Sequence, residues 1–368
     1  MICGDMMKEI FYIQDEISIG NTKIGGSHPT YFIADIAANH DGDLERAKHL
    51  CLLAKESGAD AVKFQHHDCK KYVSDYGFKN LGGKFSHQSS WDKTIYEVYK
   101  DAEVPTSWTG ELKEYCDVIG INIFSTPYDL DVVDHLDEYV DCYKIGSGDL
   151  AFEPMLKKVA EKGKPVMIAT GAATIDEVTR AVELLESYNV DVVLMQCNTN
   201  YTGNDENFDY IHLNVLQTYK DNFPNVVLGL SDHTYGCVTT LGAISLGARV
   251  VEKHFTDDIN RPGPDHPFSM TPKTWKEMVD NTRILERSLG HFTKEVQDNE
   301  KETIVLQRRA IRFTKDMNKG DTIFRDDFEF QRPCPKDAFN INYFESILGK
   351  NLNRDIPNGD YLKEDDIL

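Results

Sequence analysis

The run YFIADIAANHDGDLERAKHLCLLAKESGADAVKFQ, residues 31–65, reads as a strand, a helix and a second strand. Its outer segments are short and apolar, and its middle carries the mixed pattern of an amphipathic helix. Reading on from Gln65, further strand candidates fall at 122–126 (NIFST), 142–146 (CYKIG), 165–170 (PVMIAT), 192–197 (VVLMQC), 226–231 (VVLGLS) and 250–255 (VVEKHF). With 31–37 and 61–65 they make eight. Near-continuous apolar strands alternating with amphipathic helices imply a parallel sheet covered by helices. Eight such units over roughly 250 residues favour a closed (β/α)8 TIM barrel over an open doubly wound sheet. The GxGxxG turn of an open dinucleotide-binding sheet is missing from the sequence.

Punctuation supports the same division. Upstream, Gly20-Asn21 and Gly25-Gly26 mark an N-terminal hairpin, and the helix 174–188 opens with Thr174 and Glu177 at capping-box spacing. The last barrel helix starts at Thr271 as N-cap with Pro272 in the first helical position. The segment from Cys69 to Trp108 far exceeds the 2–6 residues or so of an ordinary connection after a barrel strand, so it reads as a lid or an extra wall of the site. The barrel with its hairpin therefore takes residues 1–290. A polar stretch at 291–306 reads as a linker, and short strands and turns from 307 to 368 form a small, mainly-β second domain.

Composition narrows the function. The 368 residues carry a formal charge of −21, against the basic footprint of a nucleic-acid or anionic-membrane surface. A buried site can still be locally positive. No run approaches the roughly 20 apolar residues of a spanning helix. The start, MICGDMMKEIFYIQDEISIG, lacks the basic segment and apolar run of a secretory signal. Eight scattered cysteines without CxxC pairs read as reduced thiols, which points to the cytoplasm.

In a barrel of this kind the C-terminal strand ends face the active-site mouth. They carry Asp35, Lys63, Gln65, Thr126, Tyr128, Lys144, Ser147, Asp149, Tyr201, Ser231, His233 and His254, with Asp265 shortly after the last strand. His233 and His254 end adjacent strands, so their imidazoles can converge on one divalent ion, with Asp265 or water completing the shell. Such an open site suits Mn2+ or Mg2+ better than a closed structural zinc. The competing reading is a pair of hydrogen-bonded core histidines. Lys63 and Lys144 sit on apolar strands, where a buried ammonium needs an anion. A substrate phosphate or carboxylate would serve, with Ser147 and the amides of 146–148 as added donors. A buried salt bridge or a Schiff-base lysine are the alternatives. Asp35 and Asp149 are candidate proton handlers or orienting groups.

The motifs FIADIAANHDG, GADAVKFQ, FSTPY, YKIGSGD, IATGA, GLSDHTYG, VEKHFTDD and GPDHPFSM, with QRP and IPNGDYL in the tail, resemble the N-acetylneuraminate synthase family over nearly the whole chain. The resemblance implies a (β/α)8 barrel followed by a small antifreeze-like (SAF) domain. It also implies condensation of phosphoenolpyruvate with N-acetylmannosamine or a related 2-acetamido sugar, phosphate leaving by C–O cleavage. On that pattern His233 and His254 are metal ligands, Lys63, Lys144 and Ser147 contact phosphoenolpyruvate, and Gln65, Thr126 and Tyr128 line the site. Asp265 matches a sugar-binding carboxylate. Arg332, in QRP, falls on an arginine that the antifreeze-like domain offers to the other subunit of a homodimer.

Several positions depart from the family pattern. Asp35 stands where Glu is usual, Asp149 closes a motif that commonly ends in Glu, and Thr199, Thr202 and Cys334 replace the customary residues. All fall where the sugar should sit, so the acceptor stays open. The rival readings are another metal-dependent phosphoenolpyruvate synthase or aldolase on the same barrel, and a non-catalytic carbohydrate-binding relative.

Overall fold

The computed structural model describes residues 16–81 and 91–368. The stretch read above for a targeting signal lies outside them up to residue 15. Strands β1 (Ile17–Ile19) and β2 (Thr22–Ile24) form the expected antiparallel hairpin, turning at Gly20 and Asn21. Its Ile17, Ile19 and Ile24 are buried in the large apolar cluster, and the first residue of the third barrel strand, Asn122, donates to Thr22 Oγ1. The hairpin thus covers the end of the barrel at which the strands begin.

The barrel strands are β3 (Tyr31–Asp35), β4 (Ala61–His66), β5 (Asn122–Pro127), β6 (Tyr143–Ile145), β7 (Val166–Ala169), β8 (Val192–Cys197), β9 (Val227–Asp232) and β10 (Val250–His254). All pair in parallel, in chain order, and β10 closes on β3. The eight-stranded TIM barrel expected from the periodicity is therefore the fold. Side chains alternate across each strand. On β3, Phe32 and Ala34 pack outward on Ala47, Leu50, Cys51 and Ala54 of helix Leu44–Glu56, while Tyr31 and Ile33 point the other way. Asp35 shares their parity. On β10 the same alternation sends Val251 outward and leaves Val250, Glu252 and His254 on the inner side. Lys253 faces outward and is held by Asp232 at 2.6 Å and the Thr234 carbonyl at 2.6 Å, so this fully buried ammonium is a structural strut.

Helix ends follow their sequence signals. Thr174 and Glu177 make the capping box of helix Ile175–Ser187, and Thr271 caps helix Pro272–Leu289. The chain divides into a unit ending at Gly290 and a second unit, His291–Leu368. In the second, β11 (Ala310–Phe313) pairs antiparallel with β12 (Phe328–Gln331), and isolated bridges join the remaining turns round a core that includes Ile311, Phe313, Phe328 and Leu352. Part of the stretch read as linker is helical, Lys301–Gln307, and the Cys334 amide donates to the Val305 carbonyl.

Candidate active site

Parity puts four ionic side chains side by side on the inner face of β3, β4, β6 and β10. Lys63 Nζ lies 2.8 Å from Asp35 Oδ2 and 3.9 Å from Glu252 Oε1, and Lys144 Nζ lies 3.2 Å from the same Glu252 oxygen. All four are at least 94% buried. Burial pulls the Lys63 ammonium down, yet the Asp35 and Glu252 carboxylates outweigh it and leave it raised. Burial likewise pushes Asp35 up, and Lys63 and His254 bring it below the usual carboxylate range. Gln65 Nε2 donates to Asp35 Oδ2 at 3.1 Å, the Ala37 amide donates to Oδ1, and Ser231 Oγ donates to Glu252 at 3.2 Å. Thr126 Oγ1 lies 3.4 Å from Lys63 Nζ. Each lysine therefore finds an anion within the chain, which is the buried salt bridge weighed from sequence.

Beside this charged floor stand His233 and His254, ring centroids 5.4 Å apart. His233 Nδ1 donates to the Asn198 carbonyl at 2.9 Å, and the ring also hydrogen-bonds the Cys197 thiol. His254 Nδ1 is buried without a hydrogen bond, 3.8 Å from Asp265 Oδ2, and Asp265 in turn accepts from the Ala38 amide. The Tyr201 ring leans on His233 at 4.3 Å and Phe268 on His254 at 4.9 Å, fixing both imidazoles. Among the described residues, no group of three or more His, Cys, Asp or Glu is arranged to hold a metal ion. An orphaned buried nitrogen on His254, beside a second imidazole on His233, fits a divalent cation whose other positions come from substrate oxygens and water.

Ser147 begins a 3-10 turn after β6 and accepts from the Gly171 amide at 3.0 Å. Glycine is required at 171: a Cβ there would lie 2.5 Å from Thr199 Cγ2 and 2.9 Å from Ser147 Oγ. Cys197, at the end of β8, joins the same corner; burial raises its thiol, but hydrogen bonds from His233 and Ser147 leave it lowered.

The described part of the 69–108 insertion builds an outer wall. Helices Cys69–Tyr72 and Ile95–Asp101 bring Tyr72 and Tyr99 against His67 and Tyr128. Floor, histidines and wall enclose one cavity of about 330 Å3. Twelve residues singled out from sequence line it: Asp35, Lys63, Gln65, Thr126, Tyr128, Lys144, Ser147, Tyr201, Ser231, His233, His254 and Asp265. Asp149 does not line it. Its Oδ2 is buried without a partner behind the turn, and burial raises the carboxyl to about 6. Arg332 follows β12 in the second unit and is exposed. Sequence reading missed Glu252 as a site residue, although it stands two positions before His254 and so on the same strand face. It also missed Tyr72, Tyr99 and Cys197.

The NeuB family model matches residues 50–294 and the SAF domain model residues 308–368. An uncharacterized protein of Methanocaldococcus jannaschii is 37% identical over 356 residues, covering 96% of this chain and 99% of that one. The N,N'-diacetyllegionaminic acid synthase of Legionella pneumophila is 36% identical over 349 residues, covering 90% and 96%. Among solved structures, N-acetylneuraminic acid (sialic acid) synthetase from Leptospira borgpetersenii, in complex with citrate, superposes with a TM-score of 0.71 at 30% identity. That match covers 80% of this chain and 96% of the other.

Proposed function

Because the chain belongs to the NeuB family, with a SAF domain behind its barrel, we propose that it is a nonulosonic (sialic-type) acid synthase. It joins phosphoenolpyruvate to a 2-acetamido sugar aldehyde and releases phosphate. The observation that carries this reading is the pairing of Lys63 and Lys144 with Asp35 and Glu252 beside His233 and His254 in a single cavity.

The chemistry assigns work to each group. Lys63, Lys144 and Ser147 bind the phosphate and carboxylate of phosphoenolpyruvate, a more highly charged partner than the carboxylates that neutralise the lysines in the chain itself. C3 of phosphoenolpyruvate attacks the aldehyde carbon, whose oxygen takes up a proton and becomes a hydroxyl. Water adds at C2, and the C2–O bond then breaks to release phosphate. Asp35 and Glu252 are placed to accept the proton of that water, and the lysines stabilise the departing charge. Gln65 orients Asp35, and Ser231 orients Glu252. His233 and His254 are the residues that would hold Mn2+ or Mg2+, which when bound polarises a carbonyl oxygen as a Lewis acid. No lysine forms a covalent adduct on this route.

The homodimer with exchanged SAF domains, in which Arg332 reaches the partner's sugar, belongs to the same proposal. So does a cytoplasmic setting, supported by the seven unpaired cysteines among the described residues. The test is incubation with phosphoenolpyruvate and N-acetylmannosamine or a 2,4-diacetamido sugar, with Mn2+ or with a chelator. We expect metal- and sugar-dependent phosphate release matched by a nonulosonic acid in the mass spectrum. An aldolase would make or cleave a carbon–carbon bond without releasing phosphate, and a binding protein would do neither.

A further inference from the structure

Two segments outside the sheet meet beside the mouth: the loop after β3, residues 36–43, and the excursion after β10, residues 255–270, which a bridge between Phe255 and Met270 closes on itself. The excursion carries Asp265, whose Oδ2 accepts from the Ala38 amide at 3.1 Å and lies 3.8 Å from His254. A carboxylate on a loop holds a fixed place only where the loop is tied down.

The tie is a largely buried guanidinium. Arg46 stands in the first turn of helix Leu44–Glu56 and does not line the cavity. Its Nε donates to the Asn39 carbonyl at 2.8 Å and lies 2.9 Å from Asp41 Oδ2, both on the first loop. Its two terminal nitrogens hold Asp257, on the excursion, at 3.0 and 2.8 Å. One planar fork thus joins the two segments. The residues it holds lead on to Asp265. Asn39, fully buried, donates to the Phe255 carbonyl and to Ser269 Oγ, each at 2.9 Å, and Ser269 Oγ donates to the Asp265 carbonyl at 2.6 Å. Asp41 accepts at 3.0 Å from Nε2 of His266, the fully buried neighbour of Asp265. Arg261 bonds the same Asp257 carboxylate at 3.0 Å, from the exposed side and from within the excursion.

We infer that Arg46 is a positioning residue for the acceptor sugar: by locking the loop after β3 to the excursion after β10 it fixes Asp265 at the mouth. The inference rests on the synthase reading above, with Asp265 as the carboxylate that meets the sugar. Lys63, Lys144 and Ser147 stand on β4, on β6 and in the turn after β6, so the lock bears on the sugar and not on phosphoenolpyruvate. A misplacement of about 1 Å at a positioning group can cost ~100-fold in rate.

The test uses the full chain with divalent metal and whichever of N-acetylmannosamine and a 2,4-diacetamido sugar it turns over faster, read by phosphate release. Arg46→Lys keeps the charge, but one ammonium cannot span acceptors on both segments. We expect KM for the sugar to rise ~10-fold and KM for phosphoenolpyruvate to stay within about twofold. Arg261→Ala strips the other guanidinium from Asp257 without touching the lock, and should leave sugar KM within about twofold. If Arg46 acts through Asp265, adding Arg46→Lys to Asp265→Ala lowers kcat/KM by no more than about twofold beyond Asp265→Ala alone. Losses that multiply in the double variant, or an unchanged sugar KM in folded Arg46→Lys, overturn the inference and leave the synthase reading standing. Should Arg46→Lys not fold, Asp257→Asn, which keeps the shape and removes the charge Arg46 holds, replaces it in both comparisons with the same expected outcomes. No phosphate release from the unaltered protein with either sugar removes the synthase reading and the inference with it.

Discussion

Glu252 serves two ammonium groups with one carboxylate oxygen, 3.2 Å from Lys144 and 3.9 Å from Lys63, while its other oxygen has no hydrogen bond. Glu252→Gln keeps the shape and removes the charge, leaving two buried cations to share Asp35. Stripping one partner from a buried pair costs on the order of 3 kcal/mol, so the urea midpoint should fall clearly. Millimolar phosphoenolpyruvate should then raise the midpoint more in the variant than in the unaltered protein, because the ligand supplies the missing anion. An unchanged midpoint would remove Glu252 from the charged floor. At the histidines, His233→Ala and His254→Ala should each lower kcat at least ~100-fold, and retained activity in either variant would defeat the metal assignment. The lysines and histidines were legible because strand-end position and side-chain type coincide there. Glu252 was harder to see: in the run Glu252-Lys253-His254 only strand parity tells that the first and third residues enter the barrel while the middle one, tied to Asp232, does not. The rings at Tyr72 and Tyr99 had no such signal, since their place depends on how two short helices fold back over the strand ends.

At the scale of elements, the strands were read within a residue or two because their apolar runs are buried on both faces, a demand that few other structures make. The ends were less sharp: β3 stops at Asp35 rather than 37, where the backbone leaves the sheet and Ala37 takes a positive φ of 45°. Polar joints between elements were not legible at all. His66, on β4, bonds Ser125 of β5 at 2.7 Å and Thr109 of helix Thr106–Ile119 at 3.0 Å, and Thr109 also meets His135. Burial, with His135 and His67 nearby, holds His66 down to about 3. Its folded pKa lies below the ordinary histidine value near 6.5, so as pH falls the unfolded chain takes up the proton first. Stability from this joint is complete above about pH 6.5 and is lost progressively toward pH 3. Between pH 7 and pH 5 the loss should be about 2 kcal/mol, read as a falling urea midpoint. His66→Gln, which cannot be protonated, should be less stable at pH 7 but flatter across that interval. An equally steep fall in the variant would place the acid sensitivity elsewhere.

For the whole molecule, the proposed assembly makes each active site a product of two chains, one giving the barrel with His233 and His254 and the other giving Arg332 from its SAF domain. Symmetric dimers with exchanged domains carry a consequence that a site completed within one chain does not. A chain with Arg332→Ala keeps an intact barrel but cannot serve its partner, and a chain with His233→Ala has a dead barrel but a serviceable arginine. Each variant alone forms dimers in which both sites are impaired. Co-expressed in equal amounts with random pairing, about half the dimers are mixed, and each mixed dimer holds one complete site. Activity should therefore recover to roughly a quarter of the unaltered protein's, well above the average of the two variants measured separately. If Arg332 acts within its own chain, mixing produces no complete site and the activity stays at that average. Full activity of a species that sedimentation shows to be monomeric would dispose of the exchanged arrangement altogether.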